Sequence, residues 1–181
     1  MSDKKMRVNG YGFFGIIYMA VCFLFTKIFY SKARIIRLPF RGRRFSKIKG
    51  MVGFTTGVDC RIDVFRNGIL EIEDNVQIND NVHIACAGYI KIGRNTLIAS
   101  KVYLTDHDHD FSSHELTPIC WPLKIKPVII GDNCWIGEGV AILKGVELGN
   151  GCIVGANSVV TKSFPKNVIL AGNPAKVIRY R

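Results

Sequence analysis

From Ile130 onward the chain repeats every six residues. Ile130, Ile136, Ile142, Leu148, Val154 and Val160 are all aliphatic. At the fifth place of each hexad stand Cys134, Val140, Val146, Cys152, Ser158 and Phe164, most of them small. Gly131, Gly137, Gly149 and Gly155 directly follow four of the leaders. A period of six fits neither a 3.6-residue helix nor an alternating strand. It fits a coil of three short flat sides, each one hexad long, with the leader and the fifth residue pointing inward. Glycine near a turn relieves backbone strain. Three sides make a coil of about 18 residues, and such coils stack as parallel strands that bury their faces on one another. The fold class is therefore an all-β solenoid, with the hand of the coil left open by periodicity.

The same frame runs earlier. Phe54, Cys60, Arg66, Ile72, Ile78 and Ile84 lead hexads whose fifth members are Val58, Val64, Leu70, Val76, Val82 and Gly88. After a two-residue slip, Ile92, Ile98 and Leu104 continue it. The rule then stops, because the small inward place after Leu104 falls on Asp108. Between Leu104 and Ile130 the chain reads TDHDHDFSSHELTPICWPLKIKPVI, which predicts a protruding loop over about 106–127. Loops on rigid scaffolds often carry function, and this one holds His107, His109 and His114.

Charge separates the N-terminus from the rest. Residues 1–50 hold 12 basic side chains against one acid, Asp3, while residues 51–181 hold 13 of each sign. A neutral body disfavours nucleic acid as a partner. Within the basic segment, Gly10–Thr26 is free of charge and apolar on every helical face. Both flanks are positive, which argues against a single span. The expectation is a helix or short helical hairpin within residues 10–49. It would lie in a membrane surface with arginines toward anionic lipid, or else pack on the body or between subunits. Pro39 and Gly42 are expected to end it, giving an N-terminal segment 1–50 and a body 51–181 with a C-terminal tail 166–181. None of the six cysteines forms a CxxC pair, so they read as small buried hydrophobes.

The stretch PVIIGDNCWIGEGVAILKGVELGNGCIVGANSVVTKSFPKNVILAGNPAKVIR, Pro127–Arg179, resembles the hexapeptide-repeat acyltransferases. It is most similar to sugar O-acetyltransferases of bacterial capsule and O-antigen polysaccharides. The segments GFTTGVDCRI and DNVQINDNVHI carry the same resemblance, which together spans roughly residues 50–181. It implies a left-handed parallel β-helix, a homotrimer with active sites between subunits, and acetyl-CoA as donor. The acceptor implied is a saccharide hydroxyl, lipid-linked if the N-terminus meets a membrane. Because acetyl-CoA is cytosolic, the place implied is the cytoplasm, at the inner face of its membrane.

The resemblance also assigns residues. Such chemistry needs a base to take the proton of the attacking hydroxyl, and histidine suits that role near neutral pH. His107, in LTDH, matches the family's base, with His109 as the fallback. Asn81 is matched to an acceptor-binding asparagine, and His83, Asp106 and Asp108 are candidates for acceptor contact. Trp135, Gly137, Ala156, Thr161 and Lys162 are expected along the CoA arm and phosphates, and Lys176 and Arg179 at the adenosine end. The string DHDHD also suggests a metal, but His83 stands 24 and 26 positions from His107 and His109, off the coil spacing, so no metal is expected. Rival readings are a zinc enzyme resembling the γ-type carbonic anhydrases, an amino-sugar acetyltransferase, and a scaffold without catalysis.

Overall fold

In the computed structural model, which describes residues 12–43, 47–112 and 117–181, the chain winds as a parallel β-solenoid with three flat faces. The first face stacks Phe40–Arg43, Cys60–Val64, His83–Cys86, Tyr103–Thr105, Ala141–Ile142 and Val159–Val160. The second stacks Ile48–Gly50, Ile69–Ile72, Tyr89–Ile92, Val128–Ile130 and Glu147–Leu148. The third stacks Gln77–Ile78, Leu97–Ile98, Trp135–Ile136, Ile153–Val154 and Val168–Gly172, and ends in an antiparallel strand, Ala175–Tyr180. This is the left-handed hexapeptide β-helix that the sequence leads to.

The hexads explain the core. Ile130, Ile136, Ile142, Leu148, Val154 and Val160 are all buried, and so are the fifth members from Cys134 to Phe164. Register follows the count: Ile130 pairs with Leu148, Ile136 with Val154 and Ile142 with Val160. Each such aliphatic side chain taken from water contributes about 1.5–3 kcal/mol.

The turns differ from expectation in one respect. Positive φ recurs every six residues at Asn133, Gly139, Gly145, Gly151 and Asn157, the fourth place of the hexad. The glycines after the leaders serve another need. A Cβ on Gly137 would stand 2.7 Å from the Val154 carbonyl oxygen, so that glycine lets neighbouring coils approach.

The solenoid also starts earlier than the boundary at residue 50. Phe40–Arg43 pairs in parallel with Cys60–Val64, Ile48–Gly50 with Ile69–Ile72, and Ala33 and Ile36 are buried in the same core. Among the described residues the N-terminal segment holds one helix, α1 (Phe13–Phe29), which ends well before Pro39, and Gly42 lies in a strand.

Helix α1 is held along one seam, Tyr18–Cys22–Thr26, spaced by four so that the three side chains share a face. The Tyr18 hydroxyl donates to the Leu38 carbonyl at 2.6 Å, and Ile36 N–H donates to Thr26 Oγ1 at 2.8 Å. Its other faces present Phe13, Phe14, Ile16, Ile17, Leu24 and Ile28 outward. Among the described residues no helix is long and apolar enough to cross a membrane.

The loop leaves the first face after Thr105 as a ribbon, His107–His109 antiparallel to Leu123–Ile125. It closes where it began: Lys126 N–H donates to the Asp106 carbonyl at 2.8 Å. Leu104 pairs with Ile142 and Ile98 with Ile136, both 38 positions apart, so the loop leaves the coil register intact. His114 lies outside the described residues.

Candidate active site

The loop root is built around a buried carboxylate. Asp106 is wholly buried, and its Oδ1 and Oδ2 accept the backbone N–H groups of Ala87 and Gly88 at 2.8 and 2.7 Å. Those two residues are the slip in the hexad count. The Cys86 thiol, pushed up to about 12 by burial and then by the nearby Asp106 charge, points its Sγ at Oδ2 from 3.7 Å. With these donors around it, Asp106 acts as an acceptor only.

His107 Nδ1 stands 2.8 Å from Asp106 Oδ1, and Thr105 Oγ1 lies 3.3 Å from the same nitrogen. Because a carboxylate accepts, Nδ1 carries the proton and Nε2 keeps its lone pair. The Phe65 ring meets the imidazole edge to face at 5.0 Å. The His107 side chain is 12% exposed, enough to be reached and too little to swing freely. His109 is exposed, with Nδ1 3.1 Å from the Trp121 carbonyl oxygen, and among the described residues no carboxylate pairs with it. Asp108 on the same ribbon pairs with Lys144.

His83 lies beside this group. Its Nε2 is 3.3 Å from Asp63 Oδ2 and its ring 5.3 Å from that of Tyr103. Burial holds its pKa below the usual imidazole value. Asp63 opposes that shift, while the positive charge of Arg61 reinforces it. Asn81 sits elsewhere, at a positive-φ turn (φ 57°) where the third face passes to the first, across the first face from His107. The structure therefore joins His107 to Asp106, places His83 on the adjacent strand of the same face, and leaves Asn81 at the opposite edge.

The CoA candidates fall into two groups. Trp135 is exposed on the third face and shares its stack with Ile153, Ile169 and Arg179, while Lys176 pairs with Ala171 on the same hairpin. Gly137 and Ala156 lie at the adjoining corner, where the third face passes to the first. Thr161 and Lys162 follow the strand Val159–Val160 at the far edge of the first face, on the corner that carries His107. Within one chain the first group and His107 occupy opposite edges of the first face.

The sequence reading passed over Asp63, Thr105 and Phe65, which support His83 and His107. Asp63 stands at an outward strand position and is nonetheless 6% exposed. An acid flanked by aliphatics in RIDV was the available signal. Among the described residues no three His, Cys, Asp or Glu side chains cluster so as to hold a metal ion.

Three comparisons bear on these features. The family described as bacterial transferase hexapeptide (six repeats) matches residues 127–162. The chain is 45% identical over 176 residues, 93% of its length and 90% of the relative's, to Escherichia coli K12 WbbJ, named as a lipopolysaccharide biosynthesis O-acetyl transferase. Among solved structures, a galactoside acetyltransferase in complex with coenzyme A is 34% identical with a TM-score of 0.57, covering 70% of this chain and 65% of that one. AntD, an N-acyltransferase from Bacillus cereus, has a TM-score of 0.72 at 21% identity over 82% of each chain, a likeness of fold.

Proposed function

Because the chain belongs to the bacterial hexapeptide-repeat transferases, we propose that it is an O-acetyltransferase whose centre is the Asp106–His107 pair. It moves an acetyl group from acetyl-CoA to a hydroxyl of a saccharide bound for a surface polysaccharide. The observation that carries this reading is a single imidazole whose Nδ1–H is fixed by a wholly buried carboxylate at the root of the loop.

A neutral hydroxyl is a weak nucleophile and the thioester is already activated, so the step needs a base more than it needs a metal. Nε2 of His107 takes the hydroxyl proton as the oxygen attacks the thioester carbonyl. The same nitrogen returns that proton to the departing sulfur. Asp106 holds the ring and stabilises the imidazolium in between. Removing such a base typically costs about 10²–10⁴ in rate.

Trp135, Gly137, Ala156, Lys176 and Arg179 are the CoA-binding candidates, with Thr161 and Lys162 toward the phosphates. Their separation from His107 within one chain favours a homotrimer in which one copy offers the base and its neighbour the CoA band. His83 and Asp108 flank His107 on the acceptor side. Helix α1 with its outward apolar side chains, together with the basic residues that follow it, fits peripheral attachment to the inner face of the cytoplasmic membrane. The test is release of free CoA from acetyl-CoA by the purified chain, with and without saccharide acceptors, together with O-acetyl content of the surface polysaccharide when the gene is deleted. Loss of polysaccharide acetylation on deletion, restored by the wild-type chain and not by His107→Ala, is the expected result.

A further inference from the structure

Four arginines gather on the first face, on the N-terminal side of His107. Arg41, Arg43 and Arg61 line a cleft of about 430 Å³ with Asp63 at its base. A second hollow of about 320 Å³ shares Arg43 and Asp63 with it and adds Phe65 and Arg66. Phe65 is the residue whose ring touches His107. The two hollows therefore run from the first coil toward the base.

The cluster is organised. Asp63, nearly buried, meets Arg61 Nε at 2.5 Å and Arg43 Nε at 3.4 Å. A guanidinium presents several N–H donors in a planar fork that suits phosphate oxygens. Register fixes the order: Arg41, Arg61, His83 and Tyr103 form one outward column, and Arg43, Asp63, Ala85 and Thr105 the next. Elsewhere four lysines each have an acid of their own: Lys49 has Glu71, Lys91 has Glu73, Lys101 has Glu138 and Lys144 has Asp108. Across the two hollows Arg43 and Arg61 pair with Asp63, while Arg41 and Arg66 have no acid partner among the described residues.

We propose that this cleft binds a diphosphate group carried by the acceptor, so that the saccharide to be acetylated is delivered as a sugar diphosphate ester. A diphosphate supplies the negative charge and the paired oxygens that fixed guanidinium forks recognise. Three strand spacings separate the Phe40–Arg43 strand from the Tyr103–Thr105 strand, about 14 Å at ~4.8 Å each. That span suits a mono- or disaccharide reaching from the arginines to His107. Helix α1, packed on residues 36–38 at the start of the same coil, puts an apolar surface beyond the diphosphate, where a polyprenyl tail would run. A nucleotide is the other group that carries a sugar diphosphate, and the test separates the two.

The inference rests on the acetyltransferase reading, so its first measurement does not use turnover. Inorganic pyrophosphate is titrated calorimetrically into the full chain, the Arg41→Ala/Arg43→Ala variant and a control, Lys101→Ala. The expected result is binding that weakens with salt and falls roughly 10–100-fold in the arginine variant, with the control unchanged. Equal binding by all three overturns the site even if the chain proves an active acetyltransferase. Conversely, pyrophosphate binding at the arginines with no acetyl transfer to any sugar leaves the site standing and sinks the acetyltransferase reading. Where turnover is seen, KM for a diphosphate-bearing sugar should rise in the arginine variant with kcat unchanged, while KM for the free sugar stays put. A preference for a polyprenyl diphosphate sugar over a nucleotide diphosphate sugar identifies the lipid source, and the reverse preference the nucleotide.

Discussion

His107 Nδ1 and Asp106 Oδ1 lie 2.8 Å apart although the two residues are neighbours in the chain, because Asp106 turns into the solenoid while His107 turns out of it. The backbone of the preceding coil supplies the inward pull through Ala87 and Gly88. Positioning of the imidazole is thus tied to the packing of one coil on the next.

Replacing His107 with alanine should lower turnover by about 10²–10⁴ and leave the assembly state unchanged, since the ring reaches the surface and fills no core space. His109→Ala should cost less than about tenfold. Asp106→Asn should lower kcat by about 10–10³ with KM for acetyl-CoA unchanged, and should also lower the melting temperature, because an amide cannot accept every N–H the carboxylate does. Steady-state kinetics and thermal melts of the three variants check this, and a His109→Ala loss exceeding that of His107→Ala would reassign the base.

Val140→Asp and Val146→Asp should abolish folding. Both side chains are fully buried, and an unpaired buried carboxylate costs several kcal/mol of a total stability of about 5–15 kcal/mol. Glu138→Ala should shift the melt little, as it removes only an exposed pairing with Lys101. Asn150→Ala should cost about 1 kcal/mol, because its Oδ1 accepts the Asp132 N–H at 2.9 Å.

His83 gives stability a pH dependence of known sign. Its folded pKa lies below the ordinary 6.5, chiefly through burial, so the unfolded chain takes up the proton first as pH falls. The contribution is complete above about pH 6.5 and is lost as pH drops from there toward the lower folded value. Urea midpoints at pH 7.5, 6.5 and 5.5 should therefore fall less steeply in His83→Gln than in the parent. Parallel slopes would show that His83 is protonated alike in both states.

Of the six cysteines, Cys120 is exposed and the other five are buried. Cys60 and Cys86 are also raised to about 11 and 12 by burial, which keeps them as unreactive thiols. A disulfide reagent should titrate a single thiol per native chain and all six in denaturant. Rapid labelling of Cys120→Ser would reveal opening of a coil.

Serine at Phe14, Ile17, Leu24 and Ile28 together should weaken binding to anionic vesicles by at least about tenfold without altering the far-ultraviolet spectrum. None of these side chains is buried in the fold, and the Tyr18–Cys22–Thr26 seam is untouched. Unchanged vesicle binding combined with dissociation of the oligomer would instead make α1 a subunit contact.

The coils and the loop were legible because a period of six leaves few folds open. The first coil was not, although the signal existed: Ile36, Gly42 and Ile48 continue the count of six back from Phe54. Gly42 hides the leader, and the outward Arg41 and Arg43 make a strand look like a basic tail. The slip at Ala87–Gly88 was countable, but its purpose depends on Asp106 returning to it from the next coil, a contact between residues 18 and 19 positions apart. The arginine cleft was equally out of reach, since each arginine looks ordinary until register lines them up.

A loop that departs at Asp106 and rejoins at Lys126, with both ends pinned together, behaves as an exchangeable cassette. Lengthening it taxes closure by only about 0.6 kcal/mol per doubling, and no coil shifts to accommodate the change. Under the proposed function, grafting residues 108–124 from a related chain should change acceptor preference while His107 and Asp106 stay in place.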